Sequence, residues 1–311
     1  MCLLVTGAAG FVGQAVSRRL STLGSIGKVR LIDRHLPDPS GDSEARQVDL
    51  LDTRQLKSAV DGVTRVIHLA SLAGGASEAD PAASRAINLE ASLNLLEALA
   101  ASGRGVRFVY TSSIAVFGQL EPRGVDDTSL PAPTLTYGTH KLMMEHAIAD
   151  ATRRGVIDGI SIRLPGIVAR PSGNTSFKSA FLSELFWAIQ AGRPYEVPVS
   201  PTATTWLLSI EACVTAILHA AFVSIPTPLR RGITLPALRV TIADLIAEIG
   251  RRSDRPTTHI TYRPDPGITA NFGAFPPLST ETADRMGFLH DGDVTQLVSR
   301  SVESALARAS G

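Results

Sequence analysis

Three glycines set three apart, Gly7, Gly10 and Gly13, follow the apolar run Leu3–Val5 and open a helical pattern over Phe11–Thr22. A strand that passes through such a turn directly into a helix uses glycine for three reasons: a tight turn, close approach of backbone to a pyrophosphate, and close packing of helix on strand. The helix start, at Phe11 and Val12, then offers N–H groups and the positive end of its dipole to phosphate. A glycine triplet alone fits an ordinary turn as well. Asp33 tips the reading, because it ends the next apolar run 20 residues beyond Gly13. A carboxylate there accepts hydrogen bonds from the adenosine ribose hydroxyls and repels a 2′-phosphate. NAD is therefore the expected cofactor. The adjacent Arg34 reads as a solvated charge, although an arginine at this place can accommodate a 2′-phosphate and so leaves NADP open.

The first 165 residues alternate short apolar runs with longer helical patterns. Leu3–Val5, Val29–Ile32, Val66–Leu69, Val106–Tyr110 and Gly159–Leu164 read as strands buried on both faces of a parallel sheet. Helices are predicted at 11–22, 53–60, 81–101 and 136–154, the third with Asp80 as N-cap and Pro81 in its first turn. This alternation predicts a doubly wound α/β sheet, with its ligand at the carboxyl ends of the strands. Beyond Leu164 the texture changes, and 13 of the 19 prolines lie there. The expected division is a dinucleotide-binding domain over 1–170 and a smaller substrate-binding lobe over 171–311, with some later segments returning to the first domain. Helical patterns persist in that lobe at 179–191, 210–222, 242–251 and 294–308.

Thirty basic residues balance 29 acidic ones, which argues against a protein held on nucleic acid or an anionic membrane by charge. Cys2 and Cys213 stand apart from any Cys/His cluster, so neither a disulfide framework nor a metal site is expected. The amino terminus lacks a basic leader segment, and no apolar run approaches ~18 residues. A cytoplasmic location is expected.

Asp49 and Leu50 follow a short third strand and are placed to flank adenine, or to form the N-cap region of a helix at Thr53, and the two uses are compatible. Leu69, Ala70 and Ser71 leave the fourth strand, and their small neighbours allow the chain to run beside a cofactor. His68 reads as a packed structural residue. The most informative pentapeptide is Tyr137-Gly-Thr-His-Lys141, because positions four apart share a helix face. A nearby ammonium favours phenolate over phenol, which turns a poor base with a pKa of ~10 into a usable one. Ser113 follows the fifth strand, where its hydroxyl can orient a reacting oxygen beside Tyr137. Either feature alone also fits a helix-surface pair or a turn.

Taken in order, GAAGFVG at 7–13, DR at 33–34, DL at 49–50, HLAS at 68–71, Asn88, TSSIAVFG at 111–118 and YGTHK at 137–141 resemble the extended short-chain dehydrogenases/reductases, the group of nucleotide-sugar epimerases and dehydratases. The resemblance implies Ser113 as hydroxyl partner, Tyr137 as acid/base and Lys141 as ribose binder and pKa modifier. It further implies Asn88 reaching toward the cofactor site, Pro165 and Ile167 bordering the nicotinamide, and a homodimer formed through the helices near 81–101 and 136–154.

Two departures bear on substrate. Many nucleotide-sugar members end the sixth strand in Arg-x-x-Asn, where this chain has Arg163-Leu-Pro-Gly166. They also carry a later arginine that is missing from Thr204–Glu211. A substrate diphosphate would lack two usual partners, and an unpaired charge in a dry site is costly. Residues 136–176 and 192–200 resemble sugar-acid oxidoreductases of the D-erythronate dehydrogenase type. The expected reaction is hydride transfer between a secondary alcohol or ketone of a small polyhydroxylated acid and NAD. Arg170 is then a candidate partner for the carboxylate, set against a structural ion pair, and Trp206 is a pocket wall or a core filler. An epimerase that retains its NAD is the alternative, and a non-catalytic redox sensor a minor one.

Overall fold

The computed structural model describes residues 1–24, 26–36, 43–103, 105–173, 179–225 and 232–309. Residues 174–176, the end of the first stretch compared with the sugar-acid enzymes, lie outside that range. Two compact units are present. The first comprises Met1–Val116, Pro133–Arg163 and Val214–Ile233, and the second comprises Phe117–Ala132, Leu164–Cys213 and Thr234–Gly311. The composition shift near 170 therefore marks only one of several crossings. Residues 117–132 join the second unit early, and 214–233 return to the first.

The first unit is built on strands β1 (Cys2–Thr6), β2 (Lys28–Asp33), β3 (Glu44–Gln47), β4 (Arg65–His68), β5 (Val106–Ser113) and β6 (Ile157–Leu164). With Gly232–Thr234 at one edge, the sheet runs in the order 232–234, β6, β5, β4, β1, β2, β3. The registered pairs β1–β2, β1–β4, β2–β3 and β4–β5 are all parallel. This is the doubly wound arrangement, and its order reverses between β1 and β4, where a crevice opens at the carboxyl ends. Every residue of β1 is buried, as suits a central parallel strand. The edge strand β3 is polar instead, and Glu44 holds it by pairing with Lys28, Arg30 and Arg46.

Helices α1 (Phe11–Thr22), α2 (Thr53–Ala59), α3 (Gly74–Ala79), α4 (Pro81–Ser84), α5 (Ala91–Ala100) and α6 (Thr136–Arg153) complete the unit. Leu56, Leu95, Leu96, Leu99, Met144 and Ile148 pack with Leu4, Val66 and Phe108 in one apolar cluster. Asp52, rather than Asp49, caps α2 by accepting from the amides of Arg54 and Gln55. Asp80 caps α4 as expected, with Pro81 in the first turn. The helix expected without a break over 81–101 is interrupted, because Arg85–Glu90 winds as a wider π-helix between α4 and α5.

The second unit has its own core, in which Leu182, Phe186, Leu207, Leu245, Ile249 and Leu297 are buried together. It contains a three-stranded sheet of Leu238–Thr241, Thr204–Ser209 and Gly166–Val168, and a pair formed by Ile260–Tyr262 and Tyr195–Val197. Among the described residues no helix is long and apolar enough to cross a membrane, and both cysteines are free and buried.

Candidate active site

A cleft of about 190 Å³ lies at the switch point of the first unit. Gly7, Gly10, Asp33, Arg34, Asp49, Leu50, Leu69, Ala70 and Ser71 line it, nine of the residues expected from sequence to hold a cofactor. The walls approach closely because of glycine. Gly7 has φ +67°, and a Cβ there would stand 2.5 Å from the Ala70 nitrogen. Gly10 caps α1 without a side chain, so nothing of its own covers the helix start at Phe11 and Val12. Asp33 is anchored by the Ala9 amide on Oδ2 at 3.0 Å and the His35 amide on Oδ1 at 3.3 Å. Each carboxylate oxygen keeps accepting capacity for a ribose hydroxyl. A glycine-walled crevice with a helix amino terminus at one side and a fixed acceptor at the other fits a dinucleotide.

Behind the cleft, buried hydroxyls lock the strand ends. Ser92 donates to the Asn88 carbonyl at 3.0 Å, so its oxygen accepts from His68 Nε2 at 2.9 Å. His68 Nδ1 is then the acceptor for the Thr6 hydroxyl at 2.6 Å, and Thr6 in turn accepts from the Leu69 and Ala70 amides. The chain of donors is consistent only with a neutral imidazole, and burial pushes the His68 pKa down to about 3. His68 is structural.

Asn88 requires a correction. Its side chain does not reach out toward a cofactor. Oδ1 accepts from the Leu72 amide at 2.7 Å and the Ser71 hydroxyl at 2.9 Å, while Nδ2 reaches the Leu72 carbonyl and the Ser77 and Ser84 hydroxyls. An amide with two donors and one carbonyl has nothing left to offer. Asn88 ties down the segment after β4, and the wider turn of the π-helix carries it.

Tyr137 sits in the first turn of α6, where its amide donates to Glu78 at 3.2 Å. Gly138 lets this turn press on the segment after β5, since a Cβ there would lie 2.3 Å from the Ala115 carbonyl oxygen. Ser113 ends β5, and its hydroxyl accepts from the Ala115 amide at 3.1 Å. Lys141, one turn on from Tyr137, is 2% exposed. Its Nζ donates to the Thr111 carbonyl at 2.8 Å and stands 5.5 Å from the Tyr137 ring centre and 4.7 Å from that of Tyr110. Burial pulls its pKa down to about 7, against the Glu145 carboxylate, which pulls it up.

Sequence reasoning missed Glu145, which lies one further turn along α6. It accepts the Ser112 hydroxyl at 2.5 Å and forms a buried ion pair with Arg163 at 2.7 Å. The i, i+4, i+8 spacing from Tyr137 through Lys141 to Glu145 was the available signal.

The remaining candidates belong to the second unit. Pro165 is buried there, and Ile167 lies in the strand Gly166–Val168. Arg170 is engaged locally: its amide donates to Ser183 at 3.0 Å and its carbonyl accepts from Trp187 Nε1 at 2.7 Å. Its charge also bears on Cys213, which burial pushes up to about 12. Trp206 is a core residue. It is 0% exposed, its Nε1 donates to the Pro276 carbonyl at 2.8 Å, and its ring packs on Phe275, leaving no surface for a substrate. Among the described residues no group of three or more His, Cys, Asp or Glu side chains could hold a metal ion.

D-erythronate dehydrogenase of Cupriavidus necator is 33% identical, with 98% of this chain and 99% of the relative covered. The protein of the same name from Haemophilus influenzae is 30% identical, covering 97% and 99%. The solved nucleoside-diphosphate-sugar epimerase from Agrobacterium tumefaciens superposes with a TM-score of 0.90 at 28% identity, covering 99% of this chain and 95% of its own. The family model for the NAD dependent epimerase/dehydratase family matches residues 3–222. The chain belongs to the NAD dependent epimerase/dehydratase family.

Proposed function

We propose that this NAD-dependent dehydrogenase oxidises a secondary alcohol of a small polyhydroxylated acid of the erythronate class, with Tyr137 as acid/base. The observation that carries the reading is the buried Lys141 amine, 5.5 Å from the Tyr137 ring centre and bonded to the strand that ends in Ser113. A charge so placed stabilises phenolate over phenol. Tyr137 then takes the hydroxyl proton of the alcohol, and Ser113 donates to the same oxygen and orients it. When bound, the nicotinamide dinucleotide supplies the acceptor for the hydrogen and electron pair that leave the carbinol carbon. Gly7, Gly10, Phe11, Val12 and Gly13 would hold its pyrophosphate, Asp33 the adenosine ribose, and Asp49 and Leu50 the adenine. Lys141 would hold the second ribose, and Arg34 would face solvent.

Substrate class is supported by the two D-erythronate dehydrogenases and by the residues at 166 and 204–211, where neither the usual Asn nor the usual arginine is present to hold a second diphosphate. Arg170 is the carboxylate partner in this reading. The same helices that position the site, α5 and α6, would form a homodimer contact, with Met143 exposed on α6. The epimerase reading draws on the Agrobacterium neighbour and on the UDP-glucose 4-epimerase of Erwinia amylovora, which is 34% identical but matches only 48% of this chain. A spectrophotometric panel of four- to six-carbon sugar acids against UDP-sugars, each with NAD and NADP, separates the two. Net NAD reduction by a sugar acid is expected. Turnover of a UDP-sugar with no net change in reduced nicotinamide would overturn the proposal.

A further inference from the structure

The machinery just described uses Tyr137, Lys141 and Ser113 but leaves a buried ion pair beneath them unexplained. Glu145 and Arg163 have side chains only 6% and 12% exposed. Arg163 donates through both Nε and Nη2 to the carboxylate, and Ser112 adds a hydroxyl. Even the adjoining edge strand makes room, since a Cβ on Gly232 would lie 2.8 Å from Glu145 Oε2. Buried pairs of this kind rarely repay their desolvation as stability.

We propose that Glu145 is a positioning residue that keeps Lys141 in its charged form, so that α6 carries a line of acid/base, cation and counter-charge one turn apart. The proposal rests on the reading of Tyr137 and Lys141 given above. Lys141 has few other sources of support. On its own helix it faces Tyr137 and Glu145. From β5 it meets the Tyr110 ring and the Thr111 carbonyl, and from β4 the neutral His68. From β6 comes only the positive Arg163, already spent on Glu145. Burial opposes the ammonium, and Glu145 is the carboxylate that opposes burial. Arg163 and Ser112 fix that carboxylate in place and set how much of its charge reaches Lys141.

The test reads the binding of NADH by its fluorescence between pH 5 and 10, which needs no knowledge of the substrate. In the wild type, affinity falls as the pH rises past neutrality and Lys141 loses its proton. Glu145→Gln keeps the shape and removes the charge, and is expected to move that midpoint down by about one pH unit or more. Ser112→Ala deletes one donor to the carboxylate, leaves more of its charge for Lys141, and is expected to move the midpoint up by a smaller amount. Loss of packing cannot move the two variants in opposite directions, and Ser112→Ala remains informative if Glu145→Gln fails to fold. An unmoved midpoint in folded Glu145→Gln, or in Ser112→Ala where Glu145→Gln does not fold, overturns the proposal. A wild-type affinity with no alkaline fall, matched by Lys141→Met, would instead overturn the role given to Lys141 itself.

Discussion

At the carboxyl ends of β1 and β4 the first unit makes its site out of backbone, whereas along α6 it makes one out of buried side chains. Gly7 lies against Ala70 because it has no Cβ, and the cleft it shapes is walled by main chain and small residues. Lys141 reaches Thr111 through a sealed interior, where its charge depends on Glu145 and therefore on Arg163 and Ser112. The first kind of site is set by steric limits that act within a few residues. The second is set by electrostatic balance among residues brought together from β5, α6 and β6. A backbone site fails abruptly when a side chain is added, and a side-chain site drifts with pH.

The sharpest way to break this contrast is to fill the crevice. Gly7→Val puts a branched side chain where a single Cβ already lies 2.5 Å from Ala70, at a φ that β-branched residues avoid. NAD affinity measured by calorimetry should fall by more than about 100-fold. A smaller effect is expected from the one charged side chain that serves the backbone site. Asp33→Ala removes an acceptor held by Ala9 and His35, and should weaken NAD by about 10- to 100-fold while narrowing the preference over NADP.

The smallest effect sharpens the other side of the comparison. The Lys141 pKa is lowered to about 7 in the folded chain, from an ordinary 10.5. Below pH 7 the fold bears the full cost of a buried ammonium. Between about pH 7 and 10.5 the unfolded chain binds the extra proton, so stability rises with pH, by at most about 1.4 kcal/mol per unit. Denaturant melts of Lys141→Met across that window should lack this slope, and a wild type with the same flat profile would show the amine to be ordinary.

This contrast also explains what could be read from residues alone. The glycine triplet, Asp33, Ser113 and the Tyr137–Lys141 pair each carry a local rule, a turn, a strand end or a helical spacing, and the doubly wound sheet follows from apolar runs of the right length. Asn88 could be placed on a helix but not aimed. Its saturation by Leu72, Ser77 and Ser84 depends on a π-helical turn that has no spacing signature. Trp206 carried no periodic clue to separate pocket from core, and its partners Phe275 and Pro276 lie some 70 residues away. Glu145 stood in plain view at the right interval, yet its meaning required Arg163 on a different strand. The split of the chain at 117–132 and 214–233 is equally non-local, because it depends on which core each segment joins.

The proposed chemistry turns on the phenol of Tyr137 beside a bound dinucleotide. Tyr137→Phe removes one oxygen and leaves the crevice lining untouched. Its NAD affinity should stay within about twofold of wild type while turnover on the best sugar acid falls by about 10²–10⁴. A variant that keeps most of its turnover would contradict the central claim.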